Sequence, residues 1–116
     1  MPESVYKILS QAAYAAMKTD GRFAGSADDL RDGFIHLSAD HQLEGTLAKH
    51  FAGQDRLVLL ALDPERLGPS LKWEPSRGGA LFPHLYAPLD LAAVLWAQKL
   101  TLGEGGRHVL PEGMLA

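Results

Sequence analysis

The 116-residue chain contains no cysteine. That absence excludes disulfides, thiolate nucleophiles and thiolate zinc sites, and in so small a chain it leans toward a cytoplasmic location. The N-terminus has no basic segment followed by an apolar core, so no signal peptide is expected. The longest aliphatic run, Leu57 to Leu62, is too short to cross a bilayer, so no membrane is expected as a partner. Lys and Arg number 11 against 14 Asp and Glu, a formal charge of −3. Both signs are spread along the chain without a basic patch, which disfavours nucleic acid. No P-loop or dinucleotide glycine pattern occurs, and no G-x-S-x-G elbow. Five histidines are present, but without H-E-x-x-H or comparable spacing, so no metal site is expected.

Hydrophobic residues make up 47% of the chain. This composition argues against disorder and for one domain spanning residues 1–116 with a real core. Val5 to Leu9 reads as a strand. Ser10 is a candidate N-cap for an alanine-rich helix through Met17, with Ala13, Met17 and Tyr14 inward and Asp20-Gly21 at its end. Residues 22–33 read as a loop holding one short helical turn that starts at Ser26-Ala27-Asp28-Asp29. Gly33 opens a strand over Phe34–Ser38. Ser38 or Asp40 caps a helix to about Phe51, with Leu43, Leu47, His50 and Phe51 on its inner face.

Leu57 to Leu62 predicts a central strand covered on both faces. Asp63-Pro64-Glu65 begins a helical turn, and residues 70–74 read as a further strand. Residues 75–79 form a polar loop, His84 to Tyr86 is extended, and Leu91 to Ala97 reads as a strand. Lys99 to Leu102 and Arg107 to Leu110 flank a glycine-rich turn, a hairpin signal. The predicted fold is α+β, a largely antiparallel, split sheet flanked by two or more helices.

Chemistry concentrates in two short runs. In Asp32-Gly33-Phe34-Ile35-His36-Leu37-Ser38, strand alternation turns Ile35 and Leu37 one way and His36 and Ser38 the other. Phe82-Pro83-His84-Leu85-Tyr86 repeats the arrangement with His84 and Tyr86, and Pro83 argues for an edge or a pocket rim. Imidazole serves as acid, base, ligand or donor near neutral pH. Both runs also have plain structural readings: His36 as a structural histidine bonded to a nearby carbonyl, Ser38 as a helix cap, Phe82 and Tyr86 as core aromatics, His84 at the surface. A third cluster is Lys72-Trp73-Glu74, in which Lys72 and Glu74 either pair at the surface or Trp73 stacks on a ligand and Glu74 approaches the histidines. Arg77, beside two glycines, suits a phosphate.

These residues carry a family resemblance. The D-G-F-I-H-L-S run, Asp40 leading into a helix with Gln42, Leu43, Thr46, His50 and Phe51, then Leu71-Lys-Trp-Glu74 and Phe82-Pro-His-Leu-Tyr86 resemble the bacterial family known as domain of unknown function 952. That family is in turn similar in outline to the ADP-ribosyltransferase fold, a small α+β domain with a split antiparallel sheet and a cleft for NAD. The resemblance implies that His36 grips the NAD ribose, that Tyr86 packs on the nicotinamide, and that Glu74 or His84 takes the catalytic place; the superfamily's glutamate comes late, where this chain has Glu104 and Glu112.

The resulting expectation is a polar cleft with His36, Glu74 and His84 as candidate catalytic residues and Ser38, Trp73, Arg77 and Tyr86 as candidate ligand contacts. NAD or an ADP-ribose-like molecule is the candidate ligand and substrate, and the candidate activity is ADP-ribosyl transfer. The alternative is a non-catalytic module that binds a small ligand or a protein through the same cleft.

Overall fold

The computed structural model describes residues 4–103, 105 and 107–110, the Arg77 side chain excepted. Two strands set the centre. Strand β1 (Val5–Ser10) runs antiparallel to β5 (Leu57–Leu62), from Val5 opposite Leu62 to Ser10 opposite Leu57. Every residue of β5 is buried, as its unbroken aliphatic run predicts. Its alternate residues feed two cores. Val58, Leu60 and Leu62 join Val5, Leu9 and Met17 on one side, and Leu57 and Leu59 join Ile8, Leu43 and Leu47 on the other.

Helix α1 (Gln11–Asp20) starts where Ser10 Oγ accepts from the Ala13 amide at 3.0 Å, and ends at Gly21 with φ 82°. Met17 is its buried residue, with Ala13 and Tyr14 partly buried beside it, as the sequence predicts. The segment expected as a loop holds two elements. Strand β2 (Arg22–Phe23) pairs with Leu89–Asp90, too short a pairing to leave a periodic signal. Helix α2 (Ala27–Asp32) carries a reciprocal capping box between Ser26 and Asp29 and closes at Gly33, φ 85°.

The expected strand over Phe34–Ser38 is two strands. β3 (Ile35–His36) and β4 (Ser38–Ala39) belong to different sheets, and the chain changes sheet at Leu37. Neither Ser38 nor Asp40 caps the following helix. A 3-10 turn over Asp40–Gln42 precedes helix α3 (Leu43–His50), and Gln42 Oε1 takes the Ala39 amide at 2.9 Å. Leu43 and Leu47 are buried on α3 and Phe51 partly so, whereas His50 is exposed rather than packed inward.

A short helix α4 (Pro64–Leu67) follows the Asp63 cap. Strand β6 (Leu71–Pro75) leads through a 3-10 turn over Arg77–Gly79 into β7 (Leu81–Leu85). Strand β8 (Leu89–Asp90) partners β2. Leu91–Ala93 is a 3-10 turn, which shortens the expected strand at its start, and strand β9 (Val94–Leu102) follows. It meets β10 (His108–Val109) across the predicted hairpin. His108 is half-buried, its Nε2 lying 2.6 Å from the Gln54 carbonyl.

The result is a small mixed α and β domain with antiparallel sheets and several helices. The five-stranded sheet runs β10-β9-β5-β1-β4, and the three-stranded sheet runs β3-β7-β6. Pro83 therefore lies in a central strand, not at an edge. Its carbonyl accepts from the Leu37 amide at 3.0 Å, at the residue where the chain leaves the β3 ladder. A proline has no N–H to return, so the pairing stops there at no cost in orphaned donors.

Candidate functional site

Beside the point where the chain changes sheet lies a cleft of about 390 Å³. Helix α2 supplies Asp28, Asp29 and Asp32, and helix α3 supplies Thr46, Lys49 and His50. The sheets supply Lys7, His36, Ser38, Phe82 and His84. Three of the expected site residues therefore meet here, and they do so by register. His36 is paired directly with His84 across β3 and β7, and Ser38 with Tyr6 across β4 and β1. The His36 and His84 ring centroids are 5.9 Å apart.

His36 is held by two carboxylates. Its Nδ1 lies 2.6 Å from Asp29 Oδ1 and its Nε2 2.9 Å from Asp32 Oδ2. Asp29 also accepts from the His36 amide at 3.1 Å, the Ser26 amide at 2.9 Å and Lys7 Nζ at 3.0 Å. Asp29 is 2% exposed. Burial pushes its carboxyl up, but the His36 ring, the Lys7 charge and the two amides outweigh that and hold it well below the usual carboxylate range. The same burial pulls the Lys7 ammonium below its ordinary value against the opposing pull of Asp29. Lys7 Nζ donates in addition to the His36 carbonyl at 3.0 Å, so the pair fixes both the backbone and the ring of His36.

His84 is 5% exposed, against its surface reading. Its Nδ1 lies 2.9 Å from Glu74 Oε1, the oxygen that also accepts from the Tyr86 hydroxyl at 2.6 Å. Those two donors, Tyr86 before His84, lower the Glu74 carboxyl from its ordinary value, and the Tyr86 hydroxyl is raised in return. Phe34 stacks on the His84 ring, centroids 4.0 Å apart and planes 20° apart, and also touches His36 and Tyr86. Ser38 Oγ shares a 3.0 Å hydrogen bond with Thr46 Oγ1, which ties β4 to α3 and replaces the expected capping role.

Of the other expected site residues, Glu74, Trp73 and Tyr86 stand apart from the cleft wall. Glu74 and Tyr86 are behind His84 and reach the cleft through it. Glu74 bonds these two rather than Lys72 or His36. Tyr86 is 43% exposed, neither a core aromatic nor placed to stack on a ligand in the cleft. Trp73 is 44% exposed and does not line the cleft, because alternation turns it to the other face from Glu74. The Arg77 side chain, Glu104 and Glu112 lie outside the described residues. Sequence reasoning passed over Lys7, Asp29 and Phe34. The signal for Asp29 was visible in the capping box, but a cap accounts for that residue without any ligand. Among the described residues no three His, Asp or Glu side chains are arranged to hold a metal ion, and no helix is long and apolar enough to cross a membrane.

The model of the family described as protein of unknown function (DUF952) matches residues 8–97. The crystal structure of protein CC0527 from Caulobacter crescentus is 53% identical, covers 97% of this chain and 99% of its own, and gives a TM-score of 0.92. The solution NMR structure of CC0527 gives 57% identity, 90% coverage of each chain and a TM-score of 0.81. No curated protein matches the chain.

Proposed function

We propose that this chain, which belongs to the DUF952 family, uses the cleft beside His36 and His84 to bind a small polyhydroxylated ligand, with NAD or another ADP-ribose-bearing molecule as its chemical type. One observation carries the reading. Two histidines from two strands are in register on one wall, each with a carboxylate on Nδ1, and hydroxyls of Ser38 and Thr46 stand close by. Such a wall brings imidazole and hydroxyl groups to one cleft, the kind of polar lining that suits a ribose. Lys49 on α3 adds positive charge for a diphosphate, with His50 beside it. The ring of His36 is already spanned by Asp29 and Asp32, so ribose contact at His36 requires the half-exposed Asp32 to give way, and His84 becomes the readier contact.

Titrating NAD into isotopically labelled protein tests the reading. Progressive shifts of the amides of residues 34–38 and of His84 support it. Unchanged spectra at millimolar NAD overturn it.

A second reading, a binding module without catalysis, has its own support. Glu74, the carboxylate proposed for the superfamily's chemistry, is engaged by Tyr86 and His84 and does not line the cleft. Incubation with NAD and hydroxyl or amine acceptors separates the two readings: binding without release of nicotinamide favours the module.

A further inference from the structure

We propose that Glu74 and His84 form a carboxylate–imidazole pair that acts as general base in the cleft, and that the acceptor it activates is a hydroxyl or a water. The proposal rests on the reading above for the identity of the ligand.

The two histidines look alike in sequence but differ in what they leave open. Both nitrogens of His36 face carboxylates. His84 commits only Nδ1. Among the described residues Nε2 of His84 makes no hydrogen bond, yet no buried side-chain nitrogen or oxygen lacks a partner. Nε2 therefore keeps some accessibility, and the space that His84 lines is the cleft.

The carboxylate decides which nitrogen carries the proton. An ionised carboxylate only accepts, so Glu74 selects the ring form with hydrogen on Nδ1 and the lone pair on Nε2. The Tyr86 hydroxyl holds the accepting oxygen in place, and Phe34 lies flat on the imidazole and fixes its plane. This is the arrangement in which a third group orients a base, reached with four residues from three neighbouring segments. The exposed side chain of Glu74 has no contact with ligand in this scheme, so Glu74 and Tyr86 are positioning residues and His84 alone meets the reacting atoms.

In the proposed step, the oxygen of a water or alcohol in the cleft attacks C1 of the nicotinamide-bearing ribose. The O–C1 bond forms as the C1–N bond breaks, and the electron pair of that bond leaves with nicotinamide. The hydroxyl proton passes to His84 Nε2, and Glu74 stabilises the imidazolium that results. No oxidant or further reactant enters.

The test uses the full chain, NAD as probe, and two readouts on each variant: NAD affinity by NMR titration and nicotinamide release by chromatography. The wild type is expected to bind NAD and release nicotinamide. His84→Gln and Glu74→Ala are expected to lower the release rate about a hundredfold or more, in the range of a lost general base. For Glu74→Ala the NAD dissociation constant should stay within about threefold, because Glu74 does not line the cleft and its effect lies on the transition state. Tyr86→Phe, which removes a bond to an exposed carboxylate, keeps the proposal testable if Glu74→Ala does not fold, and should lower the rate without changing affinity. If the wild type binds NAD and releases none, or if Glu74→Ala keeps the full rate, the base proposal is overturned while the binding reading stands. If the wild type does not bind NAD, both are overturned.

Discussion

The Asp29 carboxylate takes both the amide and the ring Nδ1 of His36, at 3.1 and 2.6 Å, while Lys7 Nζ closes the same arrangement from strand β1. One buried side chain thus joins α2, β3 and β1, and the first element of the cleft is positioned by the same atoms that stabilise the fold.

Removing one member of that pair leaves the other without its opposite charge. Asp29→Ala leaves the Lys7 ammonium buried without its partner and removes the Ser26 box, and a loss of about 3–5 kcal/mol is expected. Lys7→Met takes away the charged partner but leaves the carboxylate two amides and the His36 ring, and should cost less than Asp29→Ala. The double variant Lys7→Met with Asp29→Leu should lose clearly less than the two single losses combined, because no charge is left unpaired. Urea unfolding of the three variants measures this; additive losses would show that the pair is not coupled.

Asp29 also sets an acid limb. Its folded-state pKa lies below the unfolded value of about 3.9. In that window the unfolded chain binds more protons, so the contribution is complete above about pH 5 and is lost as pH falls through the unfolded value and below it. Stability should therefore drop between pH 5 and pH 2.5 in the wild type. In Asp29→Asn the slope should be visibly flatter, although the starting stability is lower. Denaturant melts across that range provide the check, with equal slopes counting against the assignment.

Two glycines near Asp29 separate strain from contact. Gly33 has φ 85° and open space where a Cβ would go, so Gly33→Ala should cost only about 1–2 kcal/mol of left-handed strain. Gly25 has φ 127°, and a Cβ there would meet Asp29 Cβ at 3.0 Å. Gly25→Ala should cost more and also displace the His36 amide resonance, which Gly33→Ala should leave nearer its place. NMR spectra and melts of both variants decide it.

Tyr86 supports Glu74 at the surface. Tyr86→Phe should leave stability nearly unchanged, since the bond is exposed. It should raise the Glu74 pKa toward its ordinary value, because the Tyr86 hydroxyl is the largest cause of the lowering. Carbon-detected titration of the Glu74 carboxyl reads the shift; an unchanged value would remove Tyr86 from the supporting role.

Much of the fold was legible in the chain because local rules coincide with tertiary ones. The Ser10 cap, the Ser26 box, the stop at Gly21 and the two-faced burial of Leu57–Leu62 are all local patterns that packing reinforced. What failed depended on partners distant in sequence. Alternation described Ile35 to Ser38 correctly, with Ile35 and Leu37 in the core, but could not say that Leu37 crosses between sheets. Proline chemistry pointed the Pro83 strand to an edge or a pocket rim; its neighbours Phe82 and His84 do line the cleft, but the strand is central, and the missing donor is accommodated at the end of a two-residue ladder.

For the site, periodicity brought His36, Ser38 and His84 together. It could not reveal that Asp29, read as part of a helix start, and Lys7, in the middle of a strand, would meet beneath His36. Nor could it show that Trp73 turns away, because the face of β6 toward the cleft is set by its pairing with β7.

The direct pairing of His36 with His84 also makes the spacing between α2 and β3 a matter of parity. One residue inserted or deleted between Gly33 and Ile35 would exchange the sides of β3, sending an imidazole into the core and an isoleucine to the cleft. A two-residue change keeps the side but moves His36 past its partner and off Asp29. Relatives that share this wall should therefore hold the distance from Asp29 to His36 fixed, while the longer connections elsewhere are free to vary, and the length of that one segment becomes a simple criterion for deciding which sequences have the same cleft.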